Sequence, residues 1–158
     1  MSGLVLNLRP YEKVVIGGIV LQNGKRRSSL RVVDERAGVL RLSEALHPDQ
    51  ATTPLTRAYY VAQTIVSGDS EEPIAAPVLA RLLDDALSGF KGFPFHAEIV
   101  AAREALERAS YYRVMKHFRP LLIKEAAILA DPRVKLPKGE TRKLRLATLT
   151  ATFAVTRR

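Results

Sequence analysis

Short apolar runs separated by turn signals fill the first 46 residues, and no other feature of the chain constrains its fold as much. In the run LVLNL, the leucines Leu4, Leu6 and Leu8 share one parity, so a strand would point them to the same face. The runs KVVI, GIVLQ, SSLRVV and GVLRL follow, and β-branched residues are frequent in them. The pattern predicts a compact antiparallel meander of about five strands.

Two dipeptides between these runs are candidate hairpin turns. Gly17-Gly18 separates KVVI from IVLQ and tolerates the positive φ that a two-residue turn requires. Asn23-Gly24 is the stronger signal, because both residue types accept the left-handed conformation of a type I′ turn. We therefore expect a hairpin at each dipeptide. A β-branched residue in place of Gly24 should strain such a turn.

Helical patterns joined by short loops occupy residues 47–130. Thr53 and Pro54 predict a helix start. The threonine hydroxyl can cap the helix, and proline is tolerated in the first turn because the N–H that it lacks would have no partner within the helix. Three further helices are predicted in IAAPVLARLLDDALSGF, HAEIVAAREALERAS and YYRVMKHFRPLLIKEAAILA. The chain after the sheet is therefore expected to form a body of about four helices.

Two details of these helices follow from their sequences. Helical spacing places Ile74, Val78, Leu82 and, one turn on, Ala86 or Leu87 on one stripe of the second helix, which we expect to face the core. Pro120 interrupts the fourth helix and should kink or split it, because proline lacks an N–H and clashes with the preceding turn.

The chain divides into three predicted parts: an antiparallel β-sheet subdomain (1–46), a helical body (47–130) and a basic tail (131–158). The tail opens with a polar stretch broken by proline and glycine, which predicts disorder. Its last stretch, LRLATLTATFAV, has strand-like composition and is the alternative candidate for a strand added to a sheet edge. The fold class is α+β, with an N-terminal antiparallel sheet of about five strands packed with or followed by a C-terminal body of about four helices.

Positive charge is concentrated at the two ends of the chain. The net charge is +9, of which residues 1–45 carry +4, residues 46–130 carry −1 and residues 131–158 carry +6. A protein this basic suggests a polyanionic partner, either nucleic acid or an anionic membrane surface. The middle of the chain is an ordinary neutral helical body, so we expect the basic ends to carry the binding function.

The cations of the predicted sheet are the candidate phosphate-binding residues. They are Arg9, Lys25, Arg26, Arg27, Arg31 and Arg41. Because Leu30 and Val32 flank Arg31, a strand would turn those two residues to one face and the arginine to the other. A sheet with one apolar face and one arginine-bearing face can pack on a core and still contact an anion. The alternative is an ordinary solvated sheet face whose charges deter aggregation.

The sequence contains no pattern that predicts catalysis, a cofactor or a metal site. It has no cysteine, which excludes disulfides and thiolate chemistry. His47, His96 and His117 are far apart and lack the spacing of metal ligands. Adjacent carboxylates such as Asp84-Asp85 point in different directions on a helix, so they form no acid–base pair. We expect a protein that is not an enzyme and that needs no cofactor.

No segment predicts export or membrane insertion. The N-terminal sequence MSGLVLNLRP lacks the charged region and long apolar core of a signal peptide. No apolar run approaches the roughly 20 residues that span a bilayer. We therefore expect a cytoplasmic location and no membrane association.

Four segments together form a more specific pattern. They are LxLxPxE at residues 6–12, QNGKRR at residues 22–27, HPDQATTPLTRAYY at residues 47–60 and YYRVMKHFRPLL at residues 111–122. This pattern resembles the FlbT family, the flagellin post-transcriptional regulators of alphaproteobacteria. The resemblance covers residues 3–130, and the QNGxRR and TPxxRxYY segments are its most specific parts.

The resemblance implies an RNA-binding regulator. Members of this family act on the 5′ untranslated region of flagellin mRNA and affect its translation and decay, with negative control in some members and positive control in others. They work beside FlaF, a small helical partner. The six cations of the sheet would then contact RNA phosphates, which position a protein without reading sequence. Tyr11 is the one aromatic residue of the predicted sheet that is available to stack on a base.

The predicted sheet is also faintly similar to the carbon-storage regulator CsrA, in which arginines of the first and last strands grip messenger leaders. Leu8-Arg9 suits the first strand of that pattern. Arg41 lies two residues before the position of the last-strand arginine, where this chain has Ser43. The similarity therefore supports an RNA contact by the first-strand arginine, Arg9, and does not support one by a last-strand arginine.

A second interpretation is an adaptor that contacts FlaF or flagellin without binding RNA. Its candidate surface is on the fourth helix and comprises Tyr111, Tyr112, Val114, Met115 and Phe118. Core packing is the alternative for these residues, because the apolar stripe of a helix faces the core by default. The oligomeric state is open, and the sequence is compatible with a homodimer.

Overall fold

The computed structural model describes residues 3–34 and 36–131 of the 158-residue chain. Within that part, the strands are β1 (Leu4–Leu8), β2 (Lys13–Ile16), β3 (Ile19–Gln22), β4 (Ser28–Val32) and β5 (Val39–Arg41). The α-helices that follow are α1 (Pro54–Ser67), α2 (Glu72–Gly89), α3 (His96–Glu107) and α4 (Tyr111–Ala130). The predicted α+β class is confirmed. The division into three parts stays a prediction, and the predicted disorder of the tail falls on residues outside the described ones.

The strands form two antiparallel sheets, which corrects the predicted single meander. β1 pairs with β4 in a two-stranded ribbon, and β2 lies between β3 and β5 in a three-stranded sheet. The predicted turn at Gly17-Gly18 is confirmed, because both glycines have positive φ, at 57° and 82°, and join Ile16 to its pairing partner Ile19. Local signals thus predicted the strands without predicting which of them pair.

The predicted hairpin at Asn23-Gly24 is wrong. Neither residue has positive φ, and β4 pairs with β1 instead of β3. The Asn23 side-chain amide donates hydrogen bonds to the backbone carbonyls of Arg9, at 2.8 Å, and Arg26, at 2.9 Å. Because these bonds hold the loop after β3 against the end of β1, the chain returns along β1 rather than folding back on β3.

This pairing produces three layers: the ribbon, the three-stranded sheet and the helices. The core between the ribbon and the sheet contains Leu6, Leu8, Val14, Val32 and Val39. The opposite face of the sheet joins the helical core through Val15 and Leu40. The outer face of the ribbon is therefore the surface of the β-layers that lies farthest from the helices.

A close backbone approach seats the three-stranded sheet on α1. A Cβ atom at Gly38 would lie only 2.4 Å from the carbonyl oxygen of Val66, a separation that no side chain tolerates. A Cβ atom at Gly18 would lie 3.4 Å from the carbonyl oxygen of Ser67. The sheet can therefore reach the end of α1 only because position 38 is a glycine.

The start of α1 is held by residues from two helices. Thr53 caps α1 in a reciprocal capping box with Thr56, as the Thr-Pro signal predicted. The carboxylate of Glu125, on α4, accepts hydrogen bonds from the Thr53 hydroxyl and from the Leu55 N–H. Glu125 is only 1% exposed, and burial raises its pKa above the usual value. It ties the last part of α4 to the first turn of α1.

The buried stripe of α2 agrees with the predicted one only in part: Ala86 is buried and Leu82 packs against the core, as expected. The buried residues are Ala75, Leu79, Leu83 and Ala86. Ile74 and Val78, which were expected to face the core, are 67% and 40% exposed. This helix is rich in alanine, so several of its faces are apolar and spacing alone did not select the buried one. The predicted split at Pro120 is wrong, since α4 continues through it, and the alternative of a kink stays a prediction.

Candidate nucleic-acid interface

The outer face of the β1–β4 ribbon points away from both cores. Side chains alternate between the two faces of a strand, so Leu6 points inward and Asn7 outward. The register places Asn7 opposite Ser29 and Val5 opposite Arg31. Arg31 is exposed while its apolar neighbours contribute to the core, which confirms that this arginine faces away from them.

Two further arginines extend the outer face beyond the last paired residues of the ribbon. Arg9 directly follows β1, Arg27 directly precedes β4, and both are exposed. They border an open groove of about 520 Å³. Its lining residues are Asn7, Leu8, Arg9, Arg27, Ser28 and Ser29. The amide and hydroxyl groups in this lining add neutral hydrogen-bonding groups beside two guanidinium groups.

Asn23 fixes the basic loop, residues 23–27, against this groove. In addition to the two bonds that its amide donates to backbone carbonyls, its Oδ1 accepts a hydrogen bond from the Ser28 hydroxyl at 2.7 Å. The loop is thereby attached both to the residue after β1 and to the first residue of β4. From the sequence, Asn23 was predicted only to form a tight turn. The Asn-Gly dipeptide does not distinguish a turn residue from one whose side chain bonds the loop to β1 and β4.

Five of the six predicted RNA-binding residues share this side of the molecule, which we name the basic ribbon face. They are Arg9, Lys25, Arg26, Arg27 and Arg31. All five are exposed, and none has an acidic partner among the residues that the structure describes. The charge of Glu12 offsets part of that of Arg9, and a bound polyanion would reduce the repulsion that remains among the five cations.

The sixth predicted residue, Arg41, makes structural contacts, and its assignment to RNA binding stays a prediction. Its guanidinium forms an ion pair with Glu12 and donates a hydrogen bond to the Asn7 carbonyl oxygen at 3.1 Å. The Arg9 N–H also donates to Glu12, at 2.7 Å. The hydrogen bond from this N–H and then the one from Arg41 lower the pKa of the Glu12 carboxyl group. Arg41 therefore connects the ribbon to the sheet, and two of its five N–H donors are engaged in these contacts.

Tyr11 places an exposed aromatic ring beside the basic loop. The residue is 63% exposed, and its N–H donates a hydrogen bond to the Gly24 carbonyl oxygen at 3.0 Å. Its φ of 57° lies in the left-handed region, which residues other than glycine rarely adopt. Backbone strain of this kind clusters at functional sites. Exposed aromatic rings stack on the bases of single-stranded RNA, so Tyr11 is suited to a contact that the arginines do not supply.

A second groove, of about 320 Å³, lies between α3 and α4. Arg108, Arg113 and His117 line it together with Glu104. The carboxylate offsets part of the positive charge of this groove, whereas the lining of the groove on the ribbon contains no acidic residue. The groove between the helices is therefore the weaker candidate for a polyanion.

The predicted partner surface on α4 belongs mostly to the core. Val114, Met115 and Phe118 are fully buried, which corrects their assignment to a contact surface. Tyr111 and Tyr112 are half-buried at the start of the helix. The Tyr111 hydroxyl donates a hydrogen bond to a carboxylate of α2 at 2.6 Å, and burial and then this carboxylate raise its pKa. Packing of α4 against its neighbours explains the apolar stripe that the sequence shows.

The described part of the chain offers no metal site, and none of its helices is a membrane span. Among residues 3–34 and 36–131, no three His, Cys, Asp or Glu side chains are grouped so that they would hold a metal ion. None of the helices described above is both long and apolar enough to cross a membrane.

Comparison with known proteins relates these features to a family. A family model described as Flagellar protein FlbT matches residues 4–129. A flagellum biosynthesis repressor protein FlbT of Caulobacter vibrioides is 47% identical over 57 residues, which are 36% of this chain and 40% of that protein. A probable flagellum biosynthesis repressor protein FlbT of Brucella anthropi is 27% identical over 138 residues, which are 87% of this chain and 90% of that protein.

A third relative, a probable flagellum biosynthesis repressor protein FlbT 1 of Bradyrhizobium diazoefficiens, is 24% identical over 140 residues. The match covers 89% of this chain and 94% of that protein. The chain thus spans less than half of the Caulobacter relative and nearly all of the other two. No solved structure matches the chain.

Proposed function

The chain belongs to the FlbT family of flagellar proteins, and on that basis we propose that it represses flagellum biosynthesis after transcription. It binds the 5′ untranslated region of flagellin mRNA through the basic ribbon face, lowers translation of that message and promotes its decay. The names of the relatives support repression of flagellum biosynthesis, and the basic ribbon face supports RNA as the ligand. The function requires no catalytic group and no cofactor, and it takes place in the cytoplasm, where the message is translated.

The observation that carries this proposal is the set of five exposed cations without acidic partners in the described structure. The helical body is close to neutral, so the chain concentrates positive charge on its β-layers as well as in its tail. Four of the five cations are arginines, whose planar guanidinium groups offer paired donors to a phosphate. Such a surface costs repulsion in the free protein and gains binding energy when phosphates neutralise it.

We distinguish contacts to phosphates from contacts to bases and ribose groups. Arg9, Arg27 and Arg31 hold phosphates along the outer face of the ribbon, which positions the RNA without reading its sequence. Tyr11 stacks on an unpaired base beside the basic loop. The amide of Asn7 and the hydroxyl of Ser29, which lie between the arginines, are placed to hydrogen-bond a base edge or a ribose.

Binding of the full-length protein to a labelled flagellin leader tests the proposal. Fluorescence anisotropy over a range of salt concentrations gives both the affinity and its salt dependence. Contacts to five phosphates of a single strand predict that log K falls with log salt with a slope of about −3.5, and cations of the tail would make it steeper. A leader of equal length from an unrelated message is the control. Absence of binding, or an affinity that does not respond to salt, would refute RNA binding.

An adaptor that contacts FlaF or flagellin is the second candidate function, and one observation favours it. Ile74 and Val78 lie one turn apart on α2 and are both exposed, so they form a small apolar stripe that suits a helical partner such as FlaF. This stripe replaces the buried α4 surface predicted from the sequence. The double variant Ile74→Ser/Val78→Ser should lose capture of purified FlaF while keeping RNA affinity. Retained FlaF capture would exclude this stripe as the contact.

A further inference from the structure

Among the residues that the structure describes, none covers the free edge of β3, the outer strand of the three-stranded sheet. In the described structure it pairs along one edge only, with β2. All four of its residues are exposed, and Ile19, Val20 and Leu21 are 65%, 59% and 42% exposed. No residue of β3 belongs to either core, because the ribbon on one side and the helices on the other cover β2 and β5 without reaching it.

An edge strand of this kind is unfavourable in a monomer. Its free N–H and C=O groups form a template for pairing, and proteins usually protect such edges with charged residues, proline or a bulge. The sequence of β3, Ile-Val-Leu-Gln, contains none of the protecting residues and follows two glycines. The other outer strands are guarded, since Arg9 follows β1, Arg31 lies in β4 and Arg41 lies in β5. The missing protection at β3 indicates that something covers this edge.

We propose that β3 pairs with β3 of a second copy of the chain, in an antiparallel homodimer with two-fold symmetry. With the symmetry axis at Val20, each valine lies opposite its own counterpart, and Ile19 lies opposite Leu21 of the second copy. Apolar residues then meet at every central position, which is favourable for cross-strand pairs. The two three-stranded sheets join into one sheet of six strands.

Charge and space both favour a second copy as the occupant. The strand β3 carries no charged residue, so pairing two copies along it places no like charges opposite each other. In the same register, Gln22 lies opposite Gly18 of the second copy. Gly18 has no side chain that could collide with this glutamine.

The expected dimer is weak. Four residues per copy form a small interface, below the size of stable protein complexes, and such contacts are transient. We therefore expect a concentration-dependent equilibrium with a dissociation constant in the micromolar range.

Sedimentation velocity of the full-length protein across micromolar concentrations measures this equilibrium. Val20→Lys should give a monomer at every concentration, because two like charges would lie directly opposite each other across the axis. Val20→Glu should do the same, and an equimolar mixture of the two variants should restore the dimer, since lysine then faces glutamate. The matched control is Ile123→Lys, which places the same charge at an exposed apolar position of α4 and should leave the dimer intact. Thermal unfolding confirms that each variant is folded.

Several results would overturn the proposal. The proposal fails if the parent protein stays monomeric over this concentration range or if the Val20→Lys variant still dimerises. It also fails if the mixture of the Val20→Lys and Val20→Glu variants remains monomeric. Cross-links between β3 and residues 144–155 within one copy would assign the edge to the chain's own tail, and the homodimer would be rejected on that result as well.

Discussion

Arg41 on β5 forms an ion pair with Glu12, in the turn between β1 and β2, and so joins the two β-layers of the protein. The side chains are 26% and 10% exposed, so the pair is largely withdrawn from solvent. In the sequence, Arg41 resembles Arg31, since each is a strand arginine flanked by apolar residues. In the structure, Arg41 connects the two β-layers through its ion pair, whereas Arg31 is an exposed cation with no acidic partner in the described part of the chain.

The two arginines should therefore respond oppositely to the same substitution. Arg41→Gln should lower the midpoint of thermal unfolding by several degrees, because Glu12 loses its partner, while RNA affinity changes little. Arg31→Gln should leave the midpoint unchanged, because exposed charges contribute little to stability, while RNA affinity falls. Thermal unfolding and anisotropy on both variants measure the four values. If both variants changed the unfolding midpoint and the RNA affinity in the same way, the structural role of Arg41 and the RNA contact of Arg31 would be contradicted.

Glu125 should make stability depend on pH. Burial raises its pKa above the usual 4.5, so the folded state binds the proton more tightly than the unfolded state does. The free energy of unfolding should then fall as the pH rises from about 4.5 through the raised pKa. Glu125→Gln stays neutral and keeps an acceptor for the Leu55 N–H, so it should flatten this slope. Glu125→Ala removes the acceptor and should cost about 2–4 kcal/mol. Urea unfolding across this pH range measures both variants, and an unchanged slope in Glu125→Gln would refute the role of this group.

Gly38 should be sensitive to the smallest possible enlargement. Gly38→Ala brings a methyl group against the Val66 carbonyl and should lower the free energy of unfolding by about 1–3 kcal/mol, as overpacking does. Gly24→Ala is the matched control, because a Cβ atom there has open space and the backbone is not left-handed, so its cost should stay within about 0.5 kcal/mol. Urea unfolding gives both numbers. Equal costs would mean that the sheet does not rest on α1 as described.

The strands could be predicted from the sequence, whereas their pairing could not. Parity alone places Leu6 and Leu8 on one face, and β-branched runs mark each strand. Pairing depends on contacts between residues that are distant in the sequence. Asn23 illustrates this, because its amide bonds to the Arg9 carbonyl, 14 residues earlier, decide that β4 returns along β1. An Asn-Gly pair is equally compatible with a tight hairpin, so the local signal predicted the wrong partner strand.

The candidate site shows the same limit. Five cations could be predicted because their exposure follows from strand parity or from a polar loop. The role of Arg41 could not, since its partner lies 29 residues away in the sequence and is brought close by the pairing of β2 with β5. The left-handed backbone of Tyr11 also has no sequence signal, because this conformation is expected of glycine or asparagine rather than tyrosine.

Tyr11 should contribute to RNA affinity without contributing to its salt dependence. Loss of a base–aromatic stack costs about 1–3 kcal/mol, so Tyr11→Ala should weaken binding by about 5-fold to 150-fold. The salt slope should stay at the parent value, because no phosphate contact is removed. Tyr11→Phe keeps the ring and should bind like the parent. Anisotropy at several salt concentrations distinguishes these results, and parent-like affinity of Tyr11→Ala would exclude a stacking role.

The claim that the basic ribbon face binds RNA is tested most directly by two triple variants with the same net charge. One replaces three arginines of that face: Arg9→Gln, Arg27→Gln and Arg31→Gln. The other replaces three exposed arginines of the helices that also lack acidic partners in the described structure: Arg81→Gln, Arg108→Gln and Arg113→Gln. Since both variants lose three charges, any difference between them reports position and not total charge.

The measurement is the affinity of each full-length variant for a flagellin mRNA leader as a function of salt concentration. We expect the ribbon variant to bind more weakly and its salt slope to flatten by about two units, which corresponds to three lost phosphate contacts on a single strand. We expect the helix variant to keep the affinity and slope of the parent protein. Equal losses in the two variants, or parent-like binding by the ribbon variant, would contradict the assignment of RNA binding to this face.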